Sequence, residues 1–278
     1  MKSELMIHDL ASGKDSLLLR LDGHIEAPNW RPDGGGLVVN GDGKLYDVPL
    51  DAPELRPIDT GFAKKLNNDH GISPDGSLLA ISDQTETGES TIYTLPIGGG
   101  TPARVTEKTP SYWHGWSPDG ASLTYTANRG EGYQIHTIGV TGGEETQVTR
   151  GFDHCDGPDY TADGAWIWFN GEKRGSVQLW RVRPNGSDIE QMTDEKSVNW
   201  FPHPSPDGRH ILYLAYPLGT QGHPAGKNVE LRLMPTEGGK SRALTTLFGG
   251  QGTINVPCWA PDSSKFAFMR YVLLRPSH

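Results

Sequence analysis

The sequence predicts an all-β fold, a six-bladed β-propeller with four-stranded antiparallel blades whose ring is closed by N-terminal strands pairing with C-terminal strands. Three observations support this prediction. A turn motif of the Pro-Asp-Gly type recurs six times along the chain. Its spacing suits four short strands and their turns per unit. The 36 glycines and 21 prolines among 278 residues, with no long amphipathic helix between them, are typical of an all-β protein rich in turns.

Each copy of the motif marks one unit of the repeat. The aspartates of successive copies are 42, 44, 44, 44 and 55 residues apart, which is the period of a propeller blade. The copies are Trp30-Arg31-Pro32-Asp33-Gly34, Ile72-Ser73-Pro74-Asp75-Gly76, Trp116-Ser117-Pro118-Asp119-Gly120, Tyr160-Thr161-Ala162-Asp163-Gly164, Pro204-Ser205-Pro206-Asp207-Gly208 and Trp259-Ala260-Pro261-Asp262-Ser263. We therefore expect one blade per copy.

The chemistry of the motif is that of a tight turn between the first two strands of a blade, strands a and b. Proline presets φ, aspartate hydrogen-bonds the neighbouring backbone, and glycine accepts the positive φ that ends the turn. An apolar, β-prone run follows each turn and is predicted to form strand b, while strand a precedes the turn. The predicted b strands are residues 37–40, 78–82, 123–127, 166–170, 211–215 and 266–271.

Two further strands complete the predicted unit. After a polar loop comes an alternating strand c, then a glycine turn of the hairpin kind, then a short strand d. The predicted c strands are residues 91–95, 133–138, 177–182 and 229–234, and the predicted d strands are residues 103–106, 146–149, 190–193 and 242–245.

The two ends of the chain are predicted to share one blade. Residues 5–10 and 17–21 read as strands c and d with no a and b before them, whereas residues 259–272 supply a and b with no c and d after them. Pairing of the two ends would remove the open sheet edges that invite aggregation. We therefore predict a single domain over residues 1–278, with one blade built from residues 1–22 and 254–275 and five blades between them.

Charge and composition argue against several partners. The formal net charge is -9, which would repel a nucleic-acid backbone. No segment has the apolar character of a signal peptide or a membrane span, so we expect no membrane partner and a cytoplasmic location, or a periplasmic one if a leader has been removed. The two cysteines, Cys155 and Cys258, form no CxxC pair and are predicted to be buried, reduced thiols.

With its repeats aligned in this way, the sequence resembles the TolB-like propeller family over essentially all 278 residues. Segments such as Asn67-Asn68-Asp69-His70-Gly71 and Trp200-Phe201-Pro202-His203-Pro204 look like a bacterial branch of stand-alone propellers without the α/β domain that precedes the propeller in TolB. Propellers also occur in prolyl-oligopeptidase-type enzymes, whose hydrolase domain needs a G-x-S-x-G elbow. That elbow is missing from the sequence, which excludes a serine peptidase.

The segments just before each strand a are the candidate functional site. In the TolB-like arrangement they lie at the mouth of the central channel, so segments far apart in sequence should converge there. They are rich in amide, carboxyl, imidazole and aromatic side chains, which suit a small polar ligand and above all a sugar. The predicted ligand contacts are Asn67, Asn68, Tyr112, Trp113, Asp159, Asn199, Trp200, Gln251 and Asn255.

Histidines in the same segments suggest a metal. His70 and His114 both lie five residues before the aspartate of their blade, and His203 lies one position off that register. Neutral imidazoles completed by carboxylate or amide oxygen can hold a divalent ion, here Mn, Ca or Zn. Oligogalacturonate lyases, which look similar at the level of a propeller with a histidine-rich central metal site, illustrate the idea. A metal site, a polar ligand site without metal and a purely structural cluster all stay open.

The leading functional hypothesis is a carbohydrate-binding propeller with metal-assisted lyase or glycoside hydrolase activity, in which Asp69 and Asp156 are the candidate catalytic bases. No nucleotide cofactor is expected. The alternative is a non-catalytic scaffold that docks a protein partner over the same face, as TolB does. Residues 217–227, which lengthen the fifth interval of the repeat, are either a lid over the mouth or a surface elaboration.

Overall fold

The structure, a computed structural model, describes residues 1–273, so the last part of the predicted closing segment, residues 274–275, lies outside the described residues. The described part of the chain contains 23 β-strands and no α-helix. It accordingly offers no helix of the length and apolarity that a membrane crossing requires. The strands form six antiparallel sheets arranged as the blades of a propeller, which confirms the predicted fold class.

Five blades are complete four-stranded sheets in which each strand pairs with the next along the chain. The first comprises β3 (Glu26–Trp30), β4 (Gly36–Gly41), β5 (Lys44–Pro49) and β6 (Arg56–Pro57). The second comprises β7 (Leu66–Ile72), β8 (Leu78–Asp83), β9 (Thr91–Pro96) and β10 (Ala103–Arg104). The third comprises β11 (Ser111–Trp116), β12 (Ser122–Asn128), β13 (Tyr133–Gly139) and β14 (Thr146–Gln147).

The fourth and fifth blades repeat this order. The fourth comprises β15 (His154–Tyr160), β16 (Ile167–Lys173), β17 (Ser176–Val182) and β18 (Glu190–Gln191). The fifth comprises β19 (Ser197–Pro204), β20 (His210–Pro217), β21 (Lys227–Pro235) and β22 (Arg242–Gly249). In each of these blades the first strand faces the central channel and contacts the first strand of its neighbours. The fifth blade also has the long connection between its second and third strands that the sequence predicted.

The sixth blade joins the two ends of the chain. It contains β23 (Lys265–Val272), β1 (Lys2–Asp9) and β2 (Lys14–Asp22) in the order β2-β1-β23. The register of β1 and β23 runs from Lys2 opposite Val272 to Asp9 opposite Lys265, so the predicted closure of the ring is confirmed. The innermost strand of this blade is reduced to a single bridge between Trp259 and Phe266, and the chain before it has positive φ at Gly250 and Gly252.

The repeated turns have the predicted chemistry. In every copy the side chain of the motif aspartate accepts a hydrogen bond from the backbone N–H two residues later, as Asp75 does from Ser77 at 3.0 Å. The residue after the aspartate has a positive φ in all six turns, and in the last turn this residue is Ser263 at 60°. Because the strands are antiparallel, these turns lie at one end of the ring, and the starts of the inner strands lie at the other.

Irregular pairing of the inner strands shapes the end of the ring opposite the turns. The register between the first and second strand shifts in all five four-stranded blades, within three or four residues of the strand start. Ala27, Gly157 and Phe201 hold the same place in their blades and all have φ between 55° and 58°. A bulge of this kind redirects the neighbouring side chains relative to a regular strand. It therefore decides which inner-strand residues face the channel mouth.

Candidate active site

A cavity of about 280 Å³ lies at the mouth of the central channel. It is small for a ligand pocket, of a size that suits a single sugar ring rather than a long chain. Its walls come from the starts of the inner strands of blades two to five, from connections between second and third strands, and from the link between blades five and six. The lining residues are Asn67, Asn68, Asp69, Gln84, Tyr112, His114, Thr126, Tyr133, His154, Asp156, Phe201, His223, Gln251 and Asn255.

Three histidines surround the carboxylate of Asp156. Nε2 of His114 lies 2.9 Å from Oδ1 of Asp156. Nε2 of His223 lies 3.5 Å from Oδ2, and Nε2 of His154 lies 3.9 Å from it. The backbone N–H of Gly157 also donates to Oδ1, at 2.8 Å. Burial alone would favour the neutral acid, yet His114 and the other imidazoles keep the pKa of Asp156 well below its ordinary value, so this residue is a carboxylate.

The imidazole of His114 and the carboxyl of Asp69 have pKa values near the working pH of a cell. Burial lowers the pKa of His114, but the negative charges of Asp156 and Asp69 outweigh it and raise the value to about 8. Burial raises the pKa of Asp69 to about 7, against the opposing effect of His114. Between pH 7 and pH 8 an ionised Asp69 carboxylate, which can accept a proton, and a charged His114 imidazole, which can donate one, therefore share one cavity, a combination that suits proton transfer.

An arc of aromatic rings forms one side of the cavity. The rings of Tyr112 and Tyr133 are 6.1 Å apart, and those of Tyr133 and His154 are 5.2 Å apart. At the other end of the arc, His223 lies 5.2 Å from Phe201 in an edge-to-face arrangement. The amides of Asn67, Asn68, Gln84, Gln251 and Asn255 line much of the remaining wall. Flat faces on one side and amides on the other match a ring that carries hydroxyl groups.

Several predicted site residues line this cavity together. Among the predicted ligand contacts these are Asn67, Asn68, Tyr112, Gln251 and Asn255. Both predicted catalytic carboxyls and one predicted metal ligand, Asp69, Asp156 and His114, are there as well. The prediction that the segments before strand a converge at the channel mouth therefore matches the geometry for these residues.

Two predicted aromatic contacts point elsewhere. Trp113 is fully buried, and its indole packs so closely on the neighbouring blade that a Cβ added to Gly71 would lie 1.9 Å from its Cη2. Trp200 is 2% exposed and packs in the core of blade five. The residue that follows each of them, His114 and Phe201, lines the cavity instead. The register shifts after Trp113 and Trp200 explain this difference, because they determine which residue of the pair faces the mouth.

Asn199 and Asp159 also lie outside the cavity lining, in contrast to the prediction. Asn199 is fully buried, and its amide donates to Gln178 at 3.2 Å and to Glu195 at 3.2 Å, so its hydrogen bonds hold blade five against blade four. Asp159 is 7% exposed, and its Oδ2 lies 3.0 Å from Nδ1 of His203. Both side chains have structural partners in the interior.

His70, His114 and His203 do not form the predicted ligand set for a metal. Within residues 1–273 no three histidine, cysteine or acidic side chains are arranged to hold an ion. Both ring nitrogens of His203 have protein partners, since its Nε2 lies 2.6 Å from the carbonyl oxygen of Ile254. His70 lies beyond the bulge of β7, and its Nε2 is 3.3 Å from the carbonyl oxygen of Val38 in blade one. Burial lowers the pKa of His70 to about 4, so this imidazole is neutral.

Six cavity residues were absent from the predicted site. One is Phe201, described above, and three of the others come from the connections between second and third strands. Gln84 follows β8, Tyr133 begins β13, and His223 lies in the long connection of residues 217–227. The carbonyl oxygen of Pro224 fixes this connection by accepting from the hydroxyl of Tyr216 at 3.2 Å. His154 and Thr126 complete the group. The excess length of the fifth repeat was the available signal for His223.

Comparisons with known proteins agree with this architecture. A family model described as the TolB beta propeller domain matches residues 111–275. An uncharacterized protein of Agrobacterium fabrum is 47% identical over 272 residues, which cover 98% of this chain and 93% of that protein. A solved structure from Agrobacterium tumefaciens, provisionally described as TolB, matches with a TM-score of 0.97 at 46% identity, over 99% of both chains.

Two more distant solved structures share the fold. TolB from Acinetobacter baumannii matches with a TM-score of 0.67 at 19% identity, over 85% of this chain and 61% of that one. An oligogalacturonate lyase in complex with manganese matches with a TM-score of 0.57 at 14% identity, over 89% of this chain and 74% of that one. At these identities the likeness concerns the fold alone.

Proposed function

The chain belongs to the TolB beta propeller domain family, and we propose that it binds a small hydroxyl-rich ligand, a carbohydrate, in the cavity at its channel mouth. The observation that carries the proposal is the composition of the cavity wall. Amides, carboxyls, imidazoles and phenols from blades two to five and from the link to blade six converge there on a volume of about 280 Å³. Such a wall offers many directed hydrogen bonds and flat faces, the two features that sugar rings use.

The side chain of Gln84 gives the cleanest test. No described residue hydrogen-bonds its amide group; its backbone alone is engaged, donating to Lys65 at 3.2 Å and accepting from Gly88 at 3.0 Å. Removing the amide should therefore leave the fold intact. A panel of neutral and acidic monosaccharides would be titrated into the wild type, the Gln84→Ala variant and a control, Gln221→Ala, whose exposed amide lies outside the cavity.

We expect at least one sugar to bind the wild type, and Gln84→Ala to bind it roughly five- to tenfold more weakly, as for the loss of one hydrogen bond. The Gln221→Ala control should match the wild type. Absence of binding by every sugar at millimolar concentration, or equal affinity in Gln84→Ala, would argue against a sugar site in the cavity.

Catalysis on the bound ligand is a second candidate, and the pair formed by Asp69 and His114 favours it. The imidazolium of His114, with a pKa of about 8, can give a proton to a leaving oxygen, and the carboxylate of Asp69, with a pKa of about 7, can take one from a carbon or a water. Elimination and hydrolysis of a glycosidic bond both need such a pair. The proposal needs no metal for these roles.

Turnover and binding can be separated experimentally. Asp69→Asn keeps the size of the side chain but cannot accept a proton as a carboxylate does. We expect this variant to bind the ligand while losing at least a hundredfold in product formation, measured as new reducing ends for hydrolysis or as the ultraviolet absorbance of an unsaturated product for elimination. Equal turnover in Asp69→Asn would exclude Asp69 as the base.

The alternative is a non-catalytic scaffold that docks a protein, and membership of the TolB family supports it. A stable protein interface buries more than about 1,000 Å² in total, far more than this cavity offers, so a partner would have to cover the surrounding rim as well. A scaffold of this kind would lose little partner affinity in Gln84→Ala, and it would bind no free sugar.

A further inference from the structure

Thr126 lacks the hydrogen bond that links neighbouring blades at the same position of three other blades. Seven residues after the motif aspartate, blades one to four have a polar side chain in strand b, whereas blades five and six have Leu214 and Met269 there. In three of these blades the polar side chain is bonded to the inner strand of the next blade: Asn40 donates to the carbonyl oxygen of Asn67 at 2.8 Å, Ser82 accepts from the N–H of Trp113 at 2.9 Å, and Asn170 accepts from the N–H of Phe201 at 3.0 Å. In the third blade the same position is Thr126, whose buried hydroxyl has no hydrogen-bond partner among residues 1–273.

The next blade shows why the hydroxyl of Thr126 has no hydrogen-bond partner among the described residues. By its place in the repeat, the backbone N–H of Gly157 corresponds to those of Trp113 and Phe201. It donates instead to the carboxylate of Asp156, at 2.8 Å. Asp156 thus takes the role that a strand-b side chain has in other blades, and the hydroxyl of Thr126 is left on the cavity wall.

His114 contributes a second unpartnered group to the same wall. Its Nε2 is bound to Asp156 at 2.9 Å, while its buried Nδ1 makes no hydrogen bond of regular geometry with the described residues, although the backbone of Asn255 lies near enough to help raise the pKa of the ring. Because Asp156 and Asp69 raise the pKa of this imidazole to about 8, both of its nitrogens carry hydrogen at neutral pH. A buried hydroxyl and a buried charged N–H without partners each cost free energy, which a ligand oxygen can offset.

We propose that Thr126 and His114 form a subsite for the carboxylate of an acidic sugar. This inference rests on the proposed function, since it names the class of carbohydrate that the cavity takes. A carboxylate has only acceptor oxygens, so it matches two donors, and a bond between charged partners is shorter and stronger than one between neutral groups. A neutral sugar would fill the cavity without the charged contact.

Because of the other charged groups around the subsite, the preference for an acidic over a neutral sugar should depend on pH. Asp69 on β7, Asp156 and His154 on β15, and His223 on the long connection all face the same cavity, and the carboxylate of Glu26 on β3 lies close enough to raise the pKa of Asp69 further. Below pH 7 Asp69 is neutral and His114 is charged. Above pH 8 Asp69 is negative and His114 is neutral, so the subsite should repel a carboxylate. The preference for the acidic sugar is therefore expected to be largest near pH 6 and to disappear by pH 9.

The experiment compares acidic and neutral sugars of the same stereochemistry at pH 6 by isothermal titration calorimetry. The pairs are glucuronate with glucose and galacturonate with galactose, and the proteins are the wild type, Thr126→Val and Thr126→Ser. We expect the wild type to bind one acidic sugar at least tenfold more tightly than its neutral partner. Thr126→Val should lose roughly tenfold for that acid and little for the neutral sugar, and Thr126→Ser should retain most of the affinity.

Thermal unfolding separates a ligand contact from a structural role. Because the hydroxyl of Thr126 has no protein partner, Thr126→Val should unfold at the same temperature as the wild type or a higher one. Ser82→Ala, the matched change at a bonded position of the repeat, should unfold at a lower temperature. The subsite is refuted if Thr126→Val is destabilised as much as Ser82→Ala, or if the wild type binds neutral and acidic sugars equally. Neither outcome refutes sugar binding, whereas failure of all four sugars to bind refutes both proposals.

Discussion

His203→Ala should destabilise the protein strongly, because this imidazole joins three blades in the interior. The side chain is 1% exposed. Its Nδ1 is 3.0 Å from the carboxyl group of Asp159 in blade four, and its Nε2 is 2.6 Å from the carbonyl oxygen of Ile254 in the segment leading to blade six. The backbone oxygen of His203 also accepts from the indole N–H of Trp259 at 2.9 Å, a bond that the substitution leaves in place.

The size of the expected destabilisation follows from the buried polar groups that lose their partner. Truncation to alanine would leave a buried carboxyl and a buried carbonyl without their partner, at about 1–3 kcal/mol each. The space of the lost ring adds a cavity cost of about 1 kcal/mol. We therefore expect the free energy of unfolding to fall by about 4 kcal/mol. His210→Ala is the matched control, because the half-buried His210 side chain hydrogen-bonds no described residue, and its effect should stay within about 0.5 kcal/mol.

Guanidinium denaturation followed by tryptophan fluorescence measures both variants at pH 7. A loss of less than about 1 kcal/mol in His203→Ala would refute the assignment of His203 as a link between blades. The same assay also tests the metal interpretation of this residue. If chelator lowered the stability of the wild type to that of His203→Ala, the imidazole would be acting through an ion; we expect chelator to have no effect.

Three further predictions concern other parts of the fold. Gly71→Ala should cost at least about 3 kcal/mol of stability, since the new Cβ would lie 1.9 Å from Cη2 of Trp113; a thermal unfolding curve like that of the wild type would contradict this. The pKa of Asp69 is raised from 3.8 to about 7 in the folded protein, so its contribution to stability is complete below pH 4 and is lost as the pH rises to 7. The unfolding free energy of the wild type should therefore fall by on the order of 3 kcal/mol between these two pH values. Asp69→Asn should not show this fall. Cys155 and Cys258 are fully buried, and burial raises the pKa of the Cys155 thiol to about 12. A chromogenic thiol reagent should therefore label neither residue until denaturant is added. Rapid labelling of the native protein would contradict this packing.

The architecture was accessible from the sequence because the turn motif is local chemistry repeated at a fixed period. Aspartate and glycine at defined places specify the turn, and the alternating runs around each turn specify the strands. Closure of the ring followed from the missing half-units at the two ends. The exception is the innermost strand of the sixth blade, which is reduced to the bridge between Trp259 and Phe266.

The site could be predicted only in part from the sequence. Bulges in the inner strands break the alternation of side chains, and this alternation is what predicts which residues face the channel mouth. In a regular strand, residues at equal distance from the turn would face the same way in every blade. Here His70 and His114 share a register, yet one packs against blade one and the other lines the cavity. Trp113 and Trp200 were misplaced for the same reason. Nothing local in the sequence states how many residues a bulge contains.

The position of Thr126 could have been identified as unusual from the repeat itself. Aligning the positions seven residues after the motif aspartates gives the polar residues Asn40, Ser82, Thr126 and Asn170 in blades one to four, and Leu214 and Met269 in blades five and six. The alignment alone identifies an unusual row of polar side chains in strand b. Only the structure distinguishes the member without a protein partner from those that join two blades.

The central claim is that a small carbohydrate occupies the cavity at the channel mouth, and a crystal structure of the protein soaked with its tightest-binding sugar tests this most directly. The account predicts density for one ring between the amides of Asn67 and Asn68 and the aromatic arc, with a ligand oxygen within hydrogen-bonding distance of Thr126 and of Nδ1 of His114. Density for the sugar elsewhere on the propeller, with this cavity holding only solvent, would contradict it.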